Sequence, residues 1–147
     1  MAFANHHLAK NHKKISAEAF AYLYHRFDGF TWYIQYVLNM LYASISDKPL
    51  LEEEDVRVAI EGILAQHRFA YQALLYQLNA KQKQVLTAIA IEGKPSSLMS
   101  QEFLQKYHLG ASTVQGAVKS LLDRDFITQD EGVFQLCDKF LELSLRE

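Results

Sequence analysis

"LGASTVQGAVKSLLDRDFI", residues 109–127, sets Val114, Ala117, Val118, Leu121 and Leu122 at the spacing of one buried helical face. The other side carries Ser112, Gly116, Lys119 and Asp123 in a single row. Ser112 is placed to cap this helix, with Gln115 at the third helical position. A helix so divided lays one side on a core and offers the other to a partner or to water.

The residues on either side say what kind of core. Upstream, Asn79 followed by Gln82 has the form of a capping box, and AKQKQVLTAIAIEG then buries Val85, Leu86, Ile89 and Ala90. Gly93-Lys94-Pro95 stops that helix. Ser100 caps a short helix, QEFLQKYHL, ended by Gly110, and "YHLGAST" makes a tight turn into the quoted segment. Downstream, DFITQ and GVFQLCD read as two short strands joined at Asp130-Glu131-Gly132, and KFLELSLRE as a closing amphipathic piece. Helix, short helix, turn, helix, hairpin is the order of a winged helix-turn-helix, expected here over residues 79–147.

The first half has a different rhythm. Residues 1–15 read as a polar, basic lead-in. From Ser16, a plausible cap, SAEAFAYLYHRF places Phe20, Leu23, Tyr24 and Phe27 on one helical face, and Asp28-Gly29 ends it. TWYIQYVLNMLYAS, from Thr31 to Ser44, is apolar on nearly every side except Gln35 and Asn39, so it calls for cover by several neighbours. SDKPLLEEED reads as a linker and helix start, its Glu52–Asp55 carboxylates at the positive end of the next macrodipole. A third helix is expected to run to about Leu78, striped by Val56, Ile60, Ile63, His67, Tyr71, Leu74 and Leu78, with a bend near residues 66–70. The expected fold is mainly α: an N-terminal three-helix unit, residues 16–78, plus a winged helix-turn-helix with a small β-hairpin.

Composition narrows the functions. The 147 residues are 50% hydrophobic and 12% aromatic, enough for a real core and too apolar for a disordered tail. The net charge of −2 advertises no polyanion partner. A single cysteine, Cys137, rules out an internal disulfide framework. There is no apolar run long enough to cross a bilayer and no secretory h-region in MAFANHHLAKNHKK, so the expected location is cytoplasmic and no membrane partner is expected.

Catalytic and metal chemistry find little to work with. EGKPSS resembles part of a phosphate loop, but Ala88 stands where the first glycine of GxxxxGK is needed and Pro95 follows Lys94. Cys137 has no histidine in its local sequence. His6, His7 and His12 cluster without carboxylate or thiol ligands beside them and read as a solvated tail. His67, in an apolar stripe, reads as a hydrogen-bonded core imidazole, while His25 and His108 read as surface or helix-end residues. No enzyme activity, cofactor or metal is expected.

The candidate binding residues are Ser100, Ser112, Thr113, Gln115, Gly116 and Lys119. In helix-turn-helix proteins the first residues of the second helix meet base edges in the major groove. Ser100, at the start of the preceding helix, would reach a phosphate. A plainer reading leaves Ser112 and Gln115 occupied as caps. Lys119 is the row's sole cation, Asp130 and Glu131 at the wing tip repel phosphate, and residues 79–147 hold eight Lys/Arg against nine Asp/Glu. Gly116 would let a backbone, of DNA or of another helix, approach closely.

The combination of "FDGFTWYIQYVLNMLYA", "LNAKQKQVLTAIAIEG", "SQEFLQKYHLGASTVQGAVKSLLDRDFI" and "GVFQLCDKFLELSL" resembles the C-terminal region of the archaeal-type P-loop ATPases of the AAA+/STAND group, in their Bacteroidetes-like form. In that family a nucleotide-binding core precedes a helical lid and a winged helix. The resemblance implies a lid over residues 16–78 and a non-catalytic regulatory module. The phosphate loop and magnesium-binding acid are absent here, so no nucleotide residue is carried over. Its implied partners are a P-loop ATPase core or another protein, with duplex DNA as the other candidate, and exposed apolar surface points to a homo-oligomer. The alternative is a small stand-alone transcription regulator that dimerises through its N-terminal helices.

Overall fold

The computed structural model describes residues 1–2, 4, 13–44 and 47–147. His6, His7 and His12 lie outside the described residues. The chain divides into two compact units, Met1–Gln66 and His67–Glu147.

In the first unit, strand β1 (Lys14–Ile15) leads into helix α1 (Ala17–Arg26). The Ser16 hydroxyl accepts the Ala19 N–H at 3.1 Å, the cap expected from the sequence. Helix α1 buries Ala19 and Leu23 completely, as does its C-cap Phe27, whereas Tyr24, expected on that face, is 49% exposed. The buried stripe is therefore rotated toward the small Ala19, which hydrophobicity alone underweights. Asp28 and Gly29 take positive φ at the exit, and the Gly29 N–H returns to the Tyr24 carbonyl. This is a Schellman turn.

Helix α2 (Thr31–Ala43) buries Ile34, Val37, Leu38 and Leu41. Cover on all sides, expected from its apolar composition, is not what it has: Trp32 is 62% exposed, its ring tilted over Tyr36 and edge-on to Tyr33. Aromatic side chains packed on one another along a helix thus stand in for part of a cover. Its last carbonyls, which no helical N–H reaches, are met by Lys13. That ammonium, on a residue 5% exposed, donates to the Leu41 carbonyl at 3.2 Å, the Ser44 carbonyl at 2.6 Å and the Ser44 hydroxyl at 3.0 Å.

Strand β2 (Leu50–Leu51) pairs in parallel with β1, Lys14 opposite Leu50 and Ile15 opposite Leu51. The segment read as a linker thus carries a strand, and Leu51 is 2% exposed. Helix α3 (Glu53–Tyr76) follows, with Glu53, Glu54 and Asp55 in its first turn. Asp55 accepts both the Glu52 N–H at 2.7 Å and the Lys48 ammonium at 2.8 Å. Val56, Ile60 and Ile63 of the expected stripe are buried. The division between units falls inside this helix, after Gln66.

In the second unit, Tyr71 and Leu78 are buried and His67 lies stacked on Tyr71 at 5.5 Å and on Phe140 at 6.1 Å. Helix α4 (Ala80–Glu92) opens on the full capping box, the Asn79 and Gln82 side chains each accepting the other's N–H at 2.9 Å. It packs against helix α6 (Ala111–Asp123) and helix α7 (Lys139–Arg146). Between them, helix α5 (Gln101–Lys106) ends in a second Schellman turn, with the Leu109 N–H on the Leu104 carbonyl at 2.9 Å. The residue with positive φ there is His108, at 53°, not the glycine expected to end the helix. Gly110 keeps an ordinary φ of −86° because it begins α6.

Strands β3 (Ile127–Asp130) and β4 (Val133–Leu136) form the hairpin. Glu131 and Gly132 both have positive φ, as a two-residue turn that follows the strands' twist requires. The Phe134 N–H adds a bond to the Pro95 carbonyl at 2.9 Å. The observed class is the expected one: mostly helical, with a small hairpin and a winged helix.

Candidate docking interface

The faces of α6 separate as the sequence spacing requires. Val114 and Leu121 are fully buried, Ala117 is 6% exposed and Val118 is half-buried. Ser112, Gln115, Gly116, Lys119 and Asp123 are all exposed, and Thr113 is half-buried. On the inner flank, the Ser120 hydroxyl accepts from the Gln82 amide at 2.9 Å.

The start of the helix is not where the sequence puts it. Gly110, in extended conformation, is the N-cap, and its carbonyl already accepts the Val114 N–H at 3.0 Å. Ser112 therefore sits inside the first turn and does not cap, and α6 begins without a side-chain cap among the described residues. The Schellman turn at His108 dictates this, because it delivers the chain in extended form two residues before Ser112. Ser100 does cap α5, accepting the Phe103 N–H at 3.2 Å and donating to the Ser97 carbonyl at 3.2 Å. Its hydroxyl already accepts one hydrogen bond and donates another within its own turn.

Gly116 has open space around it: apart from its chain neighbours and the adjoining backbone of its own helix, no described atom lies within 4 Å of where a Cβ would stand. Gly116→Ala is expected to stabilise the protein by about 1 kcal/mol, the helix-propensity difference. A rise in the urea midpoint with unchanged slope would show it. A fall would mean that the backbone there is constrained in a way the helix does not reveal.

Charge is unevenly spread. The exposed carboxylates Asp123, Asp125, Asp130 and Glu131 share the α6–wing segment with Lys119 and Arg124. Arg124 is turned to Gln77, donating to its carbonyl at 3.2 Å, and covers the Phe126 ring at 5.5 Å. Near α5, Glu92 accepts from the Lys106 ammonium and the Tyr107 hydroxyl, both at 2.5 Å, and the two hold its carboxyl below the usual range. Burial, with Asp125 and Asp138 nearby, pushes the Cys137 thiol up, away from the reactive thiolate.

A cleft that the sequence spacing does not reveal lies against α6. It measures about 260 Å³ and is lined by Leu98, Met99, Val114, Gln115, Val118 and Phe134, among others. Its walls come from a loop, a helix and a strand, so no periodicity marks it. The nearest signal is the apolar pair Leu98-Met99 inside the polar stretch between Pro95 and Gln101. Sequence reasoning also missed the ion pair of Lys139 and Glu142, 4% and 2% exposed and 2.8 Å apart.

Two-helix turn, outward helix face and paired wing define a winged helix, a class that binds DNA or proteins. The chain matches the family model of the probable winged helix domain over residues 69–147 and belongs to that family. No curated protein and no solved structure was found to match it. Among the described residues, no helix is long and apolar enough to cross a membrane.

Proposed function

We propose that this chain is a non-catalytic docking module whose winged helix engages a protein through the outer face of α6. The observation that carries this reading is charge. A duplex is held chiefly by neutralising phosphates, and the exposed α6–wing surface offers Lys119 against four carboxylates, with Arg124 turned to Gln77. The resemblance to the C-terminal region of P-loop ATPases supports a regulatory role, in which the module couples a nucleotide-binding core to that contact. A phosphate-loop core encoded in frame with this segment would support the ATPase setting. Self-association belongs to the same proposal, since Phe69 and Tyr76 are 81% and 87% exposed. A strict monomer on gel filtration at high concentration would remove that part.

A second reading has its own observation. Ser112, Gln115 and Lys119 are exposed along the first half of the second helix of the turn, where a DNA reader would carry its base contacts. Titration of random duplex DNA across a salt series separates the two. Protein docking expects no salt-dependent binding. A stand-alone DNA regulator expects log K to fall with log salt at a slope of about −0.9 per phosphate contacted, with binding abolished by Lys119→Glu.

A further inference from the structure

We infer that a second copy of this chain docks along the outer face of α3, antiparallel to the first, each copy's Phe69 seated in the other's cleft at Val58. This rests on the self-association proposed above and names its surface. Val58, Gly62, Ala65, Phe69, Gln72 and Tyr76 recur along α3 at alternating steps of four and three residues, and all six are exposed. That is the spacing of a coiled-coil seam. It lies opposite the buried row of Val56, Ile60, Ile63 and Tyr71, so the core leaves it uncovered. Val58 is 57% exposed and Phe69 81%, two large apolar groups left in water on one uninterrupted helix.

Two features select a second copy as the occupant. One is a receptor for Phe69. A cleft of about 340 Å³ opens at Val58, between the end of α2 and the first half of α3, walled chiefly by Met40, Leu41, Leu51, Val58, Ala59 and Gly62. Glu54 and Asp55 also reach it, each already paired, with Arg57 at 3.3 Å and Lys48 at 2.8 Å. The other feature is charge. Glu61 and Arg68 are exposed on one flank of the seam, and neither side chain has an ion pair among the described residues.

A two-fold axis crossing α3 between Ile63 and Leu64 satisfies both features at once. It sets Val58 against the partner's Phe69, Gly62 against the partner's Ala65, and Glu61 on the flank against the partner's Arg68. Each contact then occurs twice, as an isologous interface requires. No side chain at Gly62, and only a methyl at Ala65, lets the two backbones approach closely at the centre. A parallel pair instead sets Glu61 against the partner's Gln66 and stacks the two Phe69 rings on each other, away from both clefts.

The test is sedimentation equilibrium of the full chain at low ionic strength. The parent is expected to dimerise, and Phe69→Ser to weaken the dimer at least about tenfold, as loss of a central aromatic anchor does. Glu61→Arg and Arg68→Glu each set like charges against one another at both flanks, and each is expected to weaken it several-fold. All three positions are exposed, so the fold tolerates the changes. Mixed in equal amounts, the two charge variants are expected to pair with each other about as tightly as the parent does, because the mixed pair restores opposite charges at both contacts. A mixture that associates no better than either variant alone would overturn the inference, as would an unchanged dimer in Phe69→Ser. In both cases self-association stands on another surface. A parent that stays monomeric at high concentration removes this inference and self-association together.

Discussion

Replacing Glu142 with alanine is expected to destabilise residues 67–147 by about 3–5 kcal/mol, the range for removing one member of a buried ion pair. The carboxylate is 2% exposed, lies 2.8 Å from the Lys139 ammonium and also accepts from Arg146. Arg146 in turn donates from Nε to the Ala90 carbonyl at 2.6 Å, tying the end of α7 to α4. Truncation at Glu142 therefore takes a carboxylate away from the buried Lys139 ammonium and from the Arg146 guanidinium, which ties α7 to α4. The pair itself need not favour folding. Lys139→Met combined with Glu142→Leu removes both charges and is expected to leave stability near the parent's or above it. Urea denaturation of the two variants checks this. A loss below about 1 kcal/mol in Glu142→Ala would mean that water reaches the site.

Leu121→Ala is expected to cost about 2–5 kcal/mol, the range for emptying a buried leucine site. Leu121 is fully buried on α6, and its carbonyl also accepts the Phe126 N–H of the Schellman turn that leads into the wing. The backbone bond survives the substitution, so the loss reports packing alone. Lys119→Ala, two residues earlier on the exposed side, is expected to change stability by no more than about 0.5 kcal/mol. The two variants together test the sidedness of α6, since similar losses in both would contradict an outward face at Lys119.

Much of this fold was legible where a single residue type had one physical task. Asn79 with Gln82, and Ser16 and Ser100 ahead of helices, mark caps because few other side chains can meet the first orphan N–H groups. Asp130-Glu131-Gly132 marked the hairpin for a similar reason. Glycine misled where another residue took up the left-handed conformation. His108, at φ 53°, ends α5, so the punctuation attributed to Gly110 belonged to the residue two positions before it, and Asp125, at φ 57°, does the same after α6 without any glycine. That error moved the start of α6 and with it the role of Ser112. The strand at Leu50–Leu51 was hidden because two residues are too few to alternate, and only the distant Lys14–Ile15 completes it.

The outward row of α6 was legible because 3.6-residue periodicity names both faces of a helix at once. The cleft beside it was not, since Met99, Val118 and Phe134 meet only through tertiary structure. Nor does any shift in composition mark the division after Gln66, which lies within an uninterrupted helix. Residues such as Glu142 look like ordinary surface carboxylates in sequence. Their burial is decided by the helix packed above them.

Lys13 sets a lower limit on how far the chain can be shortened. Its ammonium closes the C-terminal end of α2, and the two residues after it supply β1, so one cut beyond this point removes a helix cap and half of a sheet together. A shortened version that begins at Ser16 would keep the first helix and its cap, yet leave Leu51 with no strand alongside and the Leu41 and Ser44 carbonyls without that donor. Fusion tags, protease sites and labels placed ahead of the first helix are best kept on the far side of that lysine.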